Sequence, residues 1–237
     1  MNLPATQALK TVFITGGTGY MGSRLIKRLL KKGYQVWALV RPGSEGKLPE
    51  GCQVVVGNAL NADTYRNQVP QGCTFVHLVG VPHPSPRKKQ LFESIDLPSV
   101  QAATAAAAAA RANHFVYVSV AQTPTNIMKD YQRVRAMGEQ HIRSLTEGAQ
   151  APVAGATFLR PWYVLGPGHW WPLLLLPFYW IGKKTARWRE KAQALDLVWL
   201  PQMLNALEAA IHTAPASADS RIRIWEPREI ARLRSLS

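Results

Sequence analysis

Eight residues near the amino terminus constrain the fold of this chain more than any other segment. Residues 15–22 read TGGTGYMG, which matches GxGxxG from Gly17 and GxxGxxG from Gly16. The apolar run VFI precedes them, and SRLIKRLLKK follows with leucine and isoleucine at helical spacing. This order predicts a strand, a tight glycine loop and a helix, which is how a parallel α/β sheet begins.

In this position, the glycine loop predicts a binding site for the pyrophosphate of a dinucleotide. Without side chains in the way, backbone N–H groups and the positive end of the following helix can approach a diphosphate closely. The alternative is a glycine turn without a ligand, in which three glycines would cost backbone entropy without any return. The predicted cofactor-binding residues of the loop are Thr15, Gly16, Gly17, Thr18, Gly19, Tyr20, Met21 and Gly22.

Further along the chain, short apolar runs alternate with helical patterns. Strands are predicted at 35–40, 53–56, 74–79, 114–120 and 154–159, and helices at 96–113 and 128–145. This alternation predicts an α/β protein with a doubly wound Rossmann parallel sheet and helices on both faces. We expect residues 1–160 to form the dinucleotide-binding domain. Residues 161–237 are expected to form a smaller substrate lobe that returns to the main body through a helix at 201–212 and a strand at 221–225.

The end of the second predicted strand bears on which dinucleotide binds. An acidic residue there would accept hydrogen bonds from the 2′-hydroxyl of NAD, but the sequence has Arg41 followed by Pro42. The Arg41 guanidinium is suited to a 2′-phosphate, and Arg24 in the first helix could join it. We therefore predict NADP(H) as the cofactor ahead of NAD(H). The alternative is that Arg41 is simply a solvated loop arginine.

Four features together resemble the extended and atypical short-chain dehydrogenase/reductases, a family that includes nucleotide-sugar epimerases and dehydratases. They are the glycine loop, Ser119 closing the fifth strand, Tyr131 twelve residues later with a basic residue four beyond it, and LRPWYVLGPG from Leu159. The resemblance covers residues 11 to about 168. It implies a Rossmann fold, a nicotinamide dinucleotide, and oxidoreductase or epimerase activity.

The resemblance also implies that Ser119, Tyr131 and Arg135 carry the catalysis, with Arg135 standing where the family pattern expects lysine. A phenol with a pKa near ~10 needs a cation close by to ionise at neutral pH, and residues four apart share one helix face. Arginine keeps the positive charge and can hydrogen-bond a ribose, but it does not readily shuttle protons. Ser119 would donate to a substrate oxygen and stabilise negative charge there.

The resemblance assigns further cofactor contacts beyond the glycine loop. One pair stands where the family has an aspartate near adenine, three residues end the fourth strand, where similar proteins pass beneath the cofactor, and another pair borders the nicotinamide. In that order they are Asn58 and Ala59; Leu78, Val79 and Gly80; and Pro161 and Trp162. His77, just before the second group, is interpreted as a packed strand residue rather than a base.

Residues 168–182, GHWWPLLLLPFYWIG, precede a basic cluster and are too short to span a membrane. Three interpretations stay open: the lining of an apolar substrate pocket, an interfacial anchor on an anionic membrane, or buried core of the lobe. The 28 basic and 14 acidic residues give a formal charge of +14, which favours polyanionic partners. Without a recognition-helix or RNA-binding signature, we do not expect a nucleic-acid partner.

Two functional hypotheses follow. The first is an NADP-dependent oxidoreductase or epimerase acting on a small-molecule substrate, a partly apolar carbonyl or alcohol. The alternative is a non-catalytic NADP-binding redox sensor or assembly subunit. Two cysteines and no secretory signal predict a cytoplasmic protein without a metal site. The oligomeric state is left open.

Overall fold

The computed structural model describes residues 10–122, 128–148, 150–168, 197–213 and 221–233. Its strands are β1 Thr11–Thr15, β2 Gln35–Val40, β3 Gln53–Val56, β4 Thr74–His77, β5 His114–Val118, β6 Ala156–Leu159, β7 Tyr163–Leu165, β8 Leu197–Trp199 and β9 Ile222–Trp225. Seven of them form a parallel sheet in the order β3-β2-β1-β4-β5-β6-β9. The strands β7 and β8 form a separate parallel pair.

The helices connect these strands on both sides of the sheet. They are α1 Gly22–Lys31, α2 Lys89–Leu91, α3 Leu97–Ala109, α4 Lys129–Ser144, α5 Leu200–His212 and α6 Pro227–Arg232. A π-helical turn, Phe92–Asp96, joins α2 to α3. The chain between β4 and β5 is therefore helical well before residue 96, where the sequence predicted a start.

Two apolar cores cover the two faces of the sheet. On one face, Val12 and Ile14 of β1 belong to a cluster with the apolar sides of α1 and α5. On the other face, Phe13 belongs to a cluster with the alanine-rich α3 and with α4. Successive strand residues point to opposite faces, so β1 is buried on both sides. The predicted doubly wound Rossmann fold is confirmed.

Some predicted boundaries were wrong. The strands predicted at 74–79 and 114–120 end at His77 and Val118, because the next residues leave the sheet and line a cleft. The sequence predicted a helix with an acidic start at Asp96, but α3 begins at Leu97, directly after the π-helical turn. In the structure the Asp96 side chain bonds elsewhere and does not cap α3.

The carboxyl-terminal part of the described chain packs on the main sheet. The strand β9 pairs with β6, and α5 packs beside α1, where Glu208 forms ion pairs with Arg28 and Lys32. The division of the chain at residue 160 stays a prediction. The aromatic stretch, apart from Gly168, lies outside the described residues, so its three interpretations also stay predictions.

Candidate active site

A cleft of about 290 Å³ opens at the carboxyl ends of the central strands. The order of the sheet reverses between β1 and β4, and ligands of doubly wound sheets bind outside the strand ends at that point. The walls come from the glycine loop, from residues 78–84 and 118–120, from Tyr131 and Arg135 of α4, and from residues 161–164. The fold thus brings segments from the whole dinucleotide-binding part of the sequence to one cleft.

The glycine loop is packed too closely for side chains. Gly16 has a φ of +78°, and a Cβ there would lie 2.9 Å from the carbonyl carbon of Leu78. A Cβ on Gly17 would lie 2.9 Å from that of Ala38, and one on Gly22 would overlap the carbonyl oxygen of Gly16. Glycine is therefore required at these positions by the contact between the loop, β2 and the segment after β4.

The loop leads into an uncapped helix start. The N-cap residue of α1 is Met21, which makes no side-chain hydrogen bond to the first turn, and that turn carries no acidic residue. The N–H of Ser23 donates to the carbonyl oxygen of Gly19 at 3.2 Å, and the other N–H groups of this turn and its positive dipole end are suited to an anionic ligand. Arg24 lies over the loop, where its Nη1 donates to the carbonyl oxygen of Tyr20 at 2.8 Å and its guanidinium stacks on the Tyr20 ring.

Two residues predicted to bind the adenosine half lie on neighbouring strand ends. The N–H of Gly57 donates to the carbonyl oxygen of Val40 at 2.9 Å, so Arg41 and Asn58 leave β2 and β3 at the same edge. Both are exposed. The side-chain oxygen of Asn58 accepts from the N–H of Leu60 at 3.0 Å, which leaves its amide nitrogen to face a ligand.

Ser119 follows β5 and is only 3% exposed. Its N–H donates to the carbonyl oxygen of Leu159 at 2.7 Å, which fixes its backbone at the cleft. The hydroxyl Oγ has no hydrogen-bond partner among the described residues. A buried hydroxyl without a partner costs free energy, so this group is suited to bind a ligand oxygen in the cleft.

Tyr131 and Arg135 stand one turn apart on α4, as their spacing predicted. The guanidinium carbon of Arg135 lies 5.2 Å from the centre of the Tyr131 ring. Burial raises the pKa of the Tyr131 hydroxyl, and the charge of Arg135 offsets only part of that rise. The expected cation is therefore beside the phenol, yet the phenol is held in its protonated form.

Arg135 also bonds to groups other than Tyr131. Its Nη2 donates to Oδ1 of Asp96 at 2.8 Å, and its Nη1 donates to Tyr117 Oη at 3.3 Å and to the carbonyl oxygen of Val118 at 3.2 Å. A Cβ on Gly80 would overlap Nη2, so only glycine at this position lets the backbone run beside the Arg135 guanidinium. Sequence reasoning missed the role of Asp96, which it considered only as an acidic helix start.

His77 is a packed strand residue. Its side chain is fully buried, with Nδ1 2.8 Å from Oγ1 of Thr15 and Nε2 3.3 Å from Oγ of Ser99. Burial lowers its pKa to about 3, so the imidazole is neutral. It therefore joins the strand before the glycine loop to α3 and does not line the cleft.

Two features are absent from the described residues. No helix among them is both long enough and apolar enough to cross a bilayer. Within the same ranges, no three His, Cys, Asp or Glu side chains are grouped so that they could hold a metal ion.

Comparison with known proteins assigns the chain to a family. Residues 16–160 match the NAD(P)H-binding family, and the chain belongs to it. A ceramide reductase of Caulobacter vibrioides is 29% identical over 168 residues, which are 69% of this chain and 49% of the reductase. The chain thus spans about half the length of that curated relative.

Solved structures support the fold. A UDP-glucose 4-epimerase superposes with a TM-score of 0.67 at 15% identity, covering 94% of this chain and 80% of the epimerase. The enzyme WbmH of Bordetella bronchiseptica, solved with NAD⁺, gives 0.64 at 16% identity, covering 92% and 75%. The fold is therefore that of the extended short-chain dehydrogenase/reductases, and the predicted resemblance is confirmed.

Proposed function

We propose that this protein is an NADP-dependent oxidoreductase or epimerase-like enzyme that acts on a small, partly apolar carbonyl or alcohol. The observation that carries the proposal is the buried hydroxyl of Ser119, which has no hydrogen-bond partner among the described residues and lines the same cleft as Tyr131 and the glycine loop. A site for a dinucleotide alone has no need of a buried hydroxyl donor beside a phenol. A site that holds a substrate oxygen needs both.

The glycine loop and the first turn of α1 fit the diphosphate of a nicotinamide dinucleotide. Gly16, Gly17 and Gly22 leave no room for side chains, and the helix start has no cap of its own. When bound, a nicotinamide supplies or accepts a hydride. The chain's own residues hold the dinucleotide, orient the substrate and move one proton.

Ser119 and Tyr131 perform different parts of this chemistry. The Ser119 hydroxyl donates to the substrate oxygen and stabilises the negative charge that develops on it. The Tyr131 hydroxyl exchanges a proton with the same oxygen. Arg135 orients the phenol from the next turn of α4, and because both of its Nη atoms are engaged and it stays protonated, it does not itself transfer a proton.

The cleft favours a partly apolar substrate. Beside the polar pair, its walls carry Val81, Pro82, Pro84, Val120 and Trp162. Such a lining excludes water and contacts hydrocarbon rather than a densely hydroxylated sugar. A panel of aldehydes, ketones and quinones, followed by loss of dihydronicotinamide absorbance, tests this point. Dinucleotide binding without turnover of any of them would instead favour a non-catalytic role.

The preference for NADP rests on Arg41 at the end of β2. We expect calorimetry to give at least about tenfold tighter binding of NADPH than of NADH, since a guanidinium pairs with the 2′-phosphate. Arg41→Ala should make the two affinities equal. Arg111→Ala is the matched control, because Arg111 is exposed between α3 and β5, at the amino ends of the strands rather than at their carboxyl ends. Equal affinities in the unmodified protein would overturn the NADP assignment.

A further inference from the structure

Asp96 does not line the cleft, yet both groups that bond to its carboxylate do. The side chain is fully buried at the end of the π-helical turn. Its Oδ1 accepts from Arg135 Nη2 at 2.8 Å and from the N–H of Val81 at 3.1 Å. One carboxylate oxygen therefore connects α4 to the wall that follows β4.

The pair it forms changes the electrostatics around Tyr131. A lone buried guanidinium beside a phenol would stabilise the phenolate. A carboxylate bonded to the same guanidinium offsets its positive charge and itself repels a phenolate. Among the described residues, the groups facing Tyr131 are Arg135 from its own helix, Asp96 from the π-helical turn and Tyr117 from β5, while His83 lines the same cleft.

We propose that Asp96 is a positioning residue that holds the Arg135 guanidinium in place and cancels its charge, so that Tyr131 remains a proton donor to the substrate oxygen. This inference rests on the proposed function of Tyr131. In reduction, the O–H bond of Tyr131 breaks and an O–H bond forms on the substrate oxygen. The carbonyl carbon gains the hydride of a dihydronicotinamide, which is oxidised. The tyrosinate regains its proton from solvent.

The structure supplies a matched comparison for this pair. Glu93 stands three residues before Asp96 and pairs with Arg133, so a second acid–base pair joins the same two elements. Both of those side chains are about half exposed, whereas Asp96 and Arg135 are buried. Solvent screens the exposed pair, so its charges act weakly on Tyr131.

The test follows tyrosinate absorbance between pH 7 and 12, with the curve of Tyr131→Phe subtracted in each background. Asp96→Asn should lower the midpoint of the Tyr131 transition by about one pH unit or more, because it leaves the guanidinium charge unopposed. Glu93→Gln should leave the midpoint unchanged. The double variant Asp96→Asn/Arg135→Met removes both charges, and its midpoint should stay within about half a unit of the unmodified protein.

The outcomes are separable. An unchanged midpoint in folded Asp96→Asn overturns the inference. If Asp96→Asn does not fold, the double variant provides the test. A midpoint of the double variant that differs from that of the unmodified protein by more than about one pH unit would also overturn the inference. Where turnover is found, the alkaline limb of carbonyl reduction should move to lower pH in Asp96→Asn. A shifted midpoint in a protein that neither binds nor turns over a dinucleotide would refute the proposed function and leave only the effect of the Asp96 charge on the Tyr131 pKa.

Discussion

The two ends of the cleft are built in different ways. At the loop end, residues 16–22, binding capacity lies in the backbone: three glycines pack against neighbouring segments, and α1 begins without a cap. At the phenol end, defined by Ser119, Tyr131 and Arg135, it lies in side chains from α4 and from the segment after β5, and Asp96 holds Arg135 from outside the cleft lining. The loop end depends on close packing, and the phenol end on the balance of buried charges.

This difference predicts how each end responds to substitution. At the loop end, a single added methyl group should harm folding and binding together, because the same atoms serve both. At the phenol end, folding and chemistry should separate, since a hydroxyl can be removed without moving the backbone. Substitutions at the two ends should therefore differ in whether stability and activity change together.

The largest effect is expected for Tyr131→Phe. Loss of the proton donor should lower the rate of carbonyl reduction about 1,000-fold, as is usual when a positioned acid is removed. The NADPH affinity should change less than about twofold, since the loop end is untouched. Tyr34→Phe, a partly buried tyrosine in the segment that follows α1, is the control. Intact turnover in Tyr131→Phe would refute the acid–base role.

Ser119→Ala should lower kcat about 100-fold by removing one donor to the substrate oxygen. Its free energy of unfolding should stay the same or rise by up to about 1 kcal/mol, because the buried hydroxyl has no partner among the described residues to lose. Denaturant unfolding and steady-state kinetics on the same preparation check both. A clear loss of stability would show that the hydroxyl has a structural role.

Gly22→Ala should lower both the stability of the fold and the affinity for NADPH. The new Cβ would overlap the carbonyl oxygen of Gly16, which is backbone and cannot rotate away, so we expect a loss of about 2 kcal/mol in stability. Binding of NADPH should weaken in parallel. Gly46→Ala is the control, since nothing lies within 4 Å of a Cβ there. A stable Gly22→Ala protein with weakened binding would mean that the two properties separate at this end too.

The smallest effect concerns His77, the last residue of β4, which lies outside the cleft lining. Its folded pKa of about 3 lies below the unfolded value of about 6.5, so its neutral form stabilises the fold above pH 6.5. That contribution falls as the pH drops, because the unfolded chain then binds an additional proton. Between pH 6.5 and 5.5 the unmodified protein should lose about 1 kcal/mol more stability than His77→Gln. Equal losses in urea unfolding would contradict this.

The loop end and the fold could be predicted from the sequence because local residue patterns encode both. The bounds of β2 and β3 agree with the predicted 35–40 and 53–56, and the glycine pattern lies where the loop is. The pair between Asp96 and Arg135 could not be predicted, since the two residues are 39 positions apart and meet only when α3 and α4 pack together. Burial, and after it that packing, raises the pKa of Tyr131. The four-residue spacing therefore indicated that Arg135 lies beside the phenol, but it did not indicate how the surrounding charges offset one another.

The loop end carries the central claim, that the backbone at the start of α1 binds a dinucleotide diphosphate. Calorimetric titration of the unmodified protein with NADPH and with NADH tests it most directly, with Gly22→Ala alongside. We expect saturable binding of at least one of them below millimolar concentration, weakened in Gly22→Ala. Absence of heat with both ligands at millimolar concentration, in a protein shown to be folded, would contradict the account.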